Sequence, residues 1–341
     1  MSEHITQGGG DRLLVLAVDT STAALAAALV RGHEVLREVQ SLAERNHSVH
    51  TVSTVQAMLA ECGIKPDELD GIAIGRGPGS YTGMRIAVSL GKTLAWVWNK
   101  PLVGVSSLEA LGYGAWQNAN SAGSPADGAN VADVFDAADA FDVADVFEID
   151  DASDTAQGAS SARHLPDGYP AVPEAGQGPV WLVPIMDARR GQVYTASFAA
   201  RTEASAEAGA LGDGTWKRLS KDGIRLMREW VDELAAAIEA AGECLRPSAV
   251  WIAGELELHE SEADRLQALC PGIQVRKLPI WLEGRAVAAL GAARLAAGES
   301  DDVHAFAPNY TQLTEAEVKL QERTAAAKQA AAEGAVQGDA N

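Results

Sequence analysis

The chain has 341 residues, 47% of them apolar, which is enough to bury more than one hydrophobic core. Lys and Arg number 27 against 47 Asp and Glu, a formal net charge of -20, and such a field repels phosphate and argues against unaided nucleic-acid binding. The three cysteines, Cys62, Cys244 and Cys270, form no CxxC pair, which speaks against a disulfide framework or a thiolate metal cage. The stretch from Met1 to Asp11 has no apolar export segment, and no apolar run reaches the length of a membrane span, so a reducing cytoplasm is the expected location.

Leu13 to Val18 is a continuous apolar run that delivers Asp19 to a sheet edge, as a strand buried on both faces does. Ala24 to Val30 reads as a second strand and Val35 to Gln40, alternating apolar and polar, as a third. From Asn46 the period becomes helical through Val52, Val55, Leu59 and Cys62, and Gly63 stands at the C-terminal cap position. Gly71 to Gly75 is a short strand, Tyr81 to Asn99 a helix stopped before Pro101, and Leu102 to Val105 another strand. Ser106-Ser107-Leu108-Glu109 has the spacing of a capping box and opens a third helix.

Between Asn118 and Gly178 the composition shifts to Ala, Asp, Gly, Ser and Pro. From Asp127 to Asp154 there are ten carboxylates and no Lys or Arg, so this stretch cannot offset its ordering entropy and is expected to be an inserted, disordered linker. Phe135, Phe141 and Phe147 punctuate the charge, and an acidic docking segment is the alternative.

Strands resume at Val180 to Met186 and Val193 to Phe198, joined by a turn, with a third expected at Trp216 to Leu219. A helix over about Asp222 to Ala241, a buried strand at Val250 to Ala253 and a helix over Arg285 to Ala297 follow. The repeated β-β-β-α-β-α order predicts an α/β protein of two similar lobes: residues 1–117 and 179–322, separated by the insertion 118–178 and followed by a flexible tail 323–341.

Four segments bear chemistry. Asp19-Thr20-Ser21-Thr22 sits in the first strand-to-strand turn, where it reads either as a cradle for phosphate and a cation or as a hairpin satisfied by its own hydroxyls. The most specific run is Gly75-Arg76-Gly77-Pro78-Gly79-Ser80-Tyr81-Thr82-Gly83, followed by Arg85. Its glycines permit close backbone approach, and Ser80 or Thr82 can cap the next helix. It is not a Walker loop, since Gly91-Lys92-Thr93 lies inside a helix and the required first glycine is Ile86. On that helix Ala87, Gly91 and Ala95 form a strip of small residues beside an apolar strip of Ile86, Leu90, Leu94 and Val97, which needs a cover from a second domain or a partner protein. Asp187-Ala188-Arg189-Arg190-Gly191 makes a turn able to grip a carboxylate or phosphate, or a solvated hairpin tip. His47 and His50 lack a third ligand in register for zinc.

Taken together, several segments resemble the TsaB (YeaZ-type) family: the Asp19-to-Thr22 turn, Asn46-His47-Ser48, GRGPGSYTGMR from Gly75 to Arg85, VGVSSLEAL from Val103 to Leu111, PIMDARRGQVY from Pro184 to Tyr194, Pro308-Asn309-Tyr310, and Thr314-Glu315-Ala316-Glu317. The resemblance implies an actin-like, Hsp70-like ATPase (ASKHA) fold. It implies a noncatalytic sibling of TsaD, the subunit that transfers a threonylcarbamoyl group to the adenosine next to the tRNA anticodon. It further implies a TsaD-type partner in a heterodimer, a TsaE-type ATPase in the larger complex, self-pairing when TsaD is missing, and only indirect contact with tRNA. The partner-facing residues expected on the first-lobe helices are His47, His50, Val55, Ala87, Leu90, Gly91, Leu94 and Ala95. No cofactor is expected of the chain itself, with ATP or ADP and magnesium entering at the level of the complex. TsaD-type enzymes carry His-x-x-x-His, whereas this chain has His47-Ser48-Val49-His50, so a catalytic metal site is not expected. The protease activity in older family names finds neither an HExxH helix nor a nucleophile with its base. The other reading is an autonomous ATP-using enzyme of the same fold.

Overall fold

The computed structural model describes residues 13–41, 47–122, 168–174, 177–202, 216–242 and 245–311. Most of the acidic insertion and all of the tail expected at 323–341 lie outside the described residues. The chain divides into two units, Met1–Asn309 and Tyr310–Asn341, and the architecture below belongs to the first.

Its first half contains β1 (Leu14–Asp19), β2 (Leu25–Arg31), β3 (Glu34–Ser41), α1 (His47–Glu61), β4 (Gly71–Gly75), α2 (Tyr81–Trp98), β5 (Leu102–Val105) and α3 (Ser107–Ala122). The second half contains β6 (Val180–Asp187), β7 (Gln192–Thr195), β8 (Phe198–Ala200), β9 (Trp216–Arg218), β10 (Gly223–Leu226), α4 (Met227–Ala240), β11 (Ala249–Gly254), α5 (Glu260–Leu269), β12 (Gln274–Leu278) and α6 (Gly284–Ala296). The first sheet has the order β3-β2-β1-β4-β5 and the second β10-β7-β6-β11-β12, with the β8–β9 hairpin added on β6. In each, the first strand pairs antiparallel with the second and parallel with the fourth, so one chain path is drawn twice.

The strands expected from continuous apolar runs are buried on both faces because successive side chains point to opposite sides. Along β1, Leu14, Leu16 and Val18 join the core under α1 and α2, whereas Val15 and Ala17 enter the core between the two sheets. Along β6, Trp181, Val183 and Ile185 face α4 and α5, while Val180, Leu182 and Met186 face inward. The layers therefore run α1/α2, first sheet, α3/α6, second sheet, α4/α5.

The middle layer is exchanged between the halves. α3, which ends the first half, packs on β6 and β11 of the second sheet, and α6, which ends the second half, packs on β1, β2 and β4 of the first. Small side chains let α6 lie against the sheet. A Cβ added at Gly284 would stand 2.5 Å from the Ala27 carbonyl carbon, and one at Gly291 would stand 2.3 Å from the Ala73 Cβ. The exchange ties both halves into one core, which includes Tyr113, Trp116, Trp251 and Val287.

The sequence reading differs from the fold in four places. β10 occupies the start of the expected helix at Asp222, because Gly223–Leu226 pairs antiparallel with β7. α5 and β12 carry few buried apolar residues, Ala263 and Leu266 on α5 and Leu278 on β12, so their periodicity is weak. β8, a three-residue strand on β6, is split from β7 within the single strand expected at Val193 to Phe198. Finally, α3 runs on to Ala122 and Tyr169 and Val172 pack on the core. The side-chain amide of Asn118 donates to the Tyr169 hydroxyl at 2.8 Å and accepts from Arg285 at 2.9 Å, so both flanks of the insertion belong to the fold.

Candidate functional site

The parallel strands β1, β4 and β5 deliver their C-terminal ends to one edge of the first sheet, and the two most specific motifs meet there. Asp19 ends β1 and is buried, and its Oδ1 accepts from the backbone N–H of Ser21 at 2.6 Å. Its Oδ2 accepts from the Ser107 hydroxyl at 2.5 Å, and the Ser107 oxygen accepts in turn from Gly77 N–H at 2.9 Å. Burial pushes the Asp19 carboxyl above the usual carboxylate range, and the hydrogen bonds from Ser107 and Ser21 pull against that rise.

Glycines close the contact. A Cβ at Gly75 would fall 1.7 Å from Asp19 Oδ2, one at Gly79 2.3 Å from the Ser21 carbonyl oxygen, and one at Gly83 1.8 Å from the Thr20 carbonyl oxygen. The Ser21 carbonyl accepts from Ser80 N–H at 2.7 Å, and the Thr20 hydroxyl donates to the Gly83 carbonyl at 2.6 Å. Ser80 caps α2, its Oγ accepting from Gly83 N–H. Gly77 and Gly79 take φ of 93° and 156° around a cis Gly77–Pro78 bond. Pro78 is buried between them and Arg76 is half-buried.

The residues of this turn do not fit a nucleotide phosphate. Asp19, Thr20, Ser21 and Thr22 are only 1–8% exposed, and the glycine loop packs directly onto Asp19, Thr20 and Ser21. The Ser21 hydroxyl is a buried side-chain group of this turn without a hydrogen-bond partner among the described residues. Among the described residues no group of three His, Cys, Asp or Glu side chains could hold a metal ion.

The matching turn of the second half is open. Arg189, Arg190 and Gly191 follow one another at φ of 64°, 54° and 73°, and both arginines are exposed at the hairpin tip. Asp187 lies beneath them, its Oδ1 3.1 Å from Nε2 of the buried His259 and its N–H donating to Glu255 at 2.8 Å. Asp19 and Asp187 thus end equivalent strands, one sealed by a serine and glycines, the other braced by a histidine. No local pattern marks His259, which lies 72 residues from Asp187 along the chain.

The first-lobe helices are placed differently from expectation. Ala87, Leu90, Gly91 and Ala95 on α2 and Val55 on α1 are buried in the chain's own core. A Cβ at Gly91 would come 2.3 Å from Ile74 Cγ1, so the small-residue strip seats α2 on β4 and is not a surface for a foreign helix. Leu94 is partly buried beside it, and the side chains of His47 and His50 lie outside the described residues. The outward face of α2 carries Tyr81, Thr82, Arg85, Ser89, Thr93, Trp96 and Val97. Arg85 donates to the Tyr81 hydroxyl at 2.9 Å and lies over its ring. Trp96 and Val97, neighbours on α2, are 69% and 64% exposed, and Val52 on α1 is 47% exposed.

Known proteins match in keeping with this geometry. The family model for TsaD, tRNA N6-adenosine threonylcarbamoyltransferase, matches residues 39–130. The chain is 28% identical over 309 residues to the tRNA threonylcarbamoyladenosine biosynthesis protein TsaB of Bacillus subtilis, covering 90% of this chain and 97% of that protein. The chain is similar to TsaB (YeaZ-type) proteins along almost its whole length. The Haemophilus influenzae TsaB is 35% identical over 106 residues, a match covering 31% of this chain and 44% of that protein. YeaZ from Pseudomonas aeruginosa superposes with a TM-score of 0.52 at 18% identity, over 87% of this chain and 99% of that one. The fold is the actin-like ATPase fold, seen here in the doubled strand order of the two sheets.

Proposed function

We propose that the chain is the noncatalytic subunit that partners a TsaD-type threonylcarbamoyltransferase in forming N6-threonylcarbamoyladenosine next to the anticodon of tRNA. The observation that carries this reading is the sealed first turn. A fold whose relatives act in threonylcarbamoyladenosine biosynthesis has here packed its own glycine loop onto Asp19, Thr20, Ser21 and Thr22, where a nucleotide-using member would need an opening. The exposed flank of α2 with Val52 of α1 supplies apolar surface for the partner. A second copy of the chain would cover the same flank when the partner is absent. A TsaE-type ATPase joins at the level of the larger complex, as do ATP or ADP and magnesium, and tRNA is reached through the partner. No helix among the described residues is long and apolar enough to cross a membrane, and the cytoplasm, where tRNA is modified, is the assigned location.

The test is reconstitution of threonylcarbamoyl transfer to tRNA with a TsaD-type subunit, with and without this chain. The reading expects transfer only when both are present. Transfer by this chain alone, or magnesium-dependent ATP turnover by it, would establish the autonomous-enzyme alternative.

A further inference from the structure

A cavity of about 640 Å³ opens between the two halves, bounded by the edge strand β5, the start of α3, β9 and the last turns of α6. Its volume is in the range of small-molecule sites. Trp216 and Leu290 give it apolar walls. Trp216 is rigidly held, stacked on Phe198 at 5.1 Å, edge-on to Tyr113 at 5.3 Å, and donating its indole N–H to Glu109 at 3.1 Å.

Charge at this cavity departs from that of the chain. Two of its four cations are already neutralised: Arg218 by Glu109 and Asp222, at 2.5 Å each, and Arg294 by Glu299 at 2.8 Å and Asp301 at 3.6 Å. These pairs use the carboxylates that line the cavity. Arg76 and Lys221 also line it, and among the described residues neither has a carboxylate partner. Arg76 belongs to the glycine loop and is half-buried; its Cδ lies 2.9 Å from where a Cβ on Gly104 would stand, so the absence of a side chain at 104 is what admits it. In a chain of net charge -20, two unpaired cations beside an aromatic wall are unexpected for a surface tuned only for solubility.

We propose that this cavity binds a small organic anion, its carboxylate or phosphate held by Arg76 and Lys221 and its apolar body against Trp216 and Leu290. The proposal is independent of the partnership with TsaD. The test titrates the full chain with benzoate and with phenyl phosphate by calorimetry and by tryptophan fluorescence. At least one probe should bind with a millimolar or tighter Kd, and which one binds assigns the anion. Arg76→Gln and Lys221→Gln, each with an unchanged thermal midpoint, should weaken binding about tenfold, and Trp216→Phe should remove the fluorescence change. Lys221 is exposed, so its variant reports on binding even where Arg76→Gln perturbs the loop. Failure of both probes to bind, or binding that Lys221→Gln leaves unaltered, overturns the proposal.

Discussion

Replacing Trp96 by Ala should separate partner binding from folding. The side chain is 69% exposed, and a buried tryptophan hides about 150–250 Å², so about 100–170 Å² remain to be covered by a partner. At about 25 cal/mol/Å² that area corresponds to about 3 kcal/mol, or about 100-fold in Kd, if the interface covers it fully. The same exposure means that the isolated chain loses little, within about 0.5 kcal/mol. The assay is titration of a labelled chain against the TsaD-type subunit, with thermal unfolding of the variant measured alongside. An unchanged midpoint with a large loss of affinity is expected; a change in Kd of less than about threefold, still within the factor of five that 1 kcal/mol represents, would remove the end of α2 from the interface. Gly91→Leu cannot serve instead. Its side chain would be driven into Ile74, so any loss of binding would report on the core.

Three further outcomes test the packing. Ser21→Ala should be neutral or stabilising by up to about 1 kcal/mol, because the hydroxyl it removes is buried and unpaired; a clear loss in denaturant midpoint would show that the hydroxyl has a role the packing does not reveal. Gly284→Ala should cost about 1–3 kcal/mol, since the new methyl meets the backbone of Ala27, which cannot rotate away, and calorimetric unfolding measures it. Asp19→Asn should fold, its amide oxygen accepting from Ser21 and its nitrogen donating to the Ser107 oxygen, and should flatten part of the pH dependence of stability. Burial raises the Asp19 carboxyl in the folded state, so its contribution is complete below the unfolded value of about 3.9 and is lost as pH rises through the folded value. Urea titrations at pH 4.5 and 7.5 should therefore show the wild-type chain losing more stability than Asp19→Asn on going to the higher pH, and equal slopes would refute the assignment.

How far the sequence was readable depended on whether a feature was local. Both faces of β1 and β6 are apolar, so Leu14 to Val18 and Val180 to Met186 announced buried strands from their own residues, and the Ser106–Glu109 spacing announced the start of α3, where Ser106 Oγ accepts from Glu109 N–H at 3.2 Å. β10 and α5 were missed because each is covered on one side only and carries too few apolar residues to set a period. The Gly75-to-Gly83 run stood out by composition, but what it touches did not. Ser107 read as a helix-start residue, and only the fold brings its hydroxyl to Asp19, 88 positions earlier.

The strip of Ala87, Gly91 and Ala95 exposes the limit of pattern reading on a helix that is apolar over most of its circumference. Small residues four apart mark a place of close approach, and the period is the same whether the neighbour is a foreign helix or the helix's own sheet. What decides between them is the other face. On α2, Arg85, Ser89 and Thr93 keep the outward row wet through its middle, and Trp96 and Val97 break it near the C-terminal end. A row that continued polar to Asn99 would offer a partner no apolar contact, so the discontinuity, and not the small-residue strip, is where the proposed partner surface is put to the test.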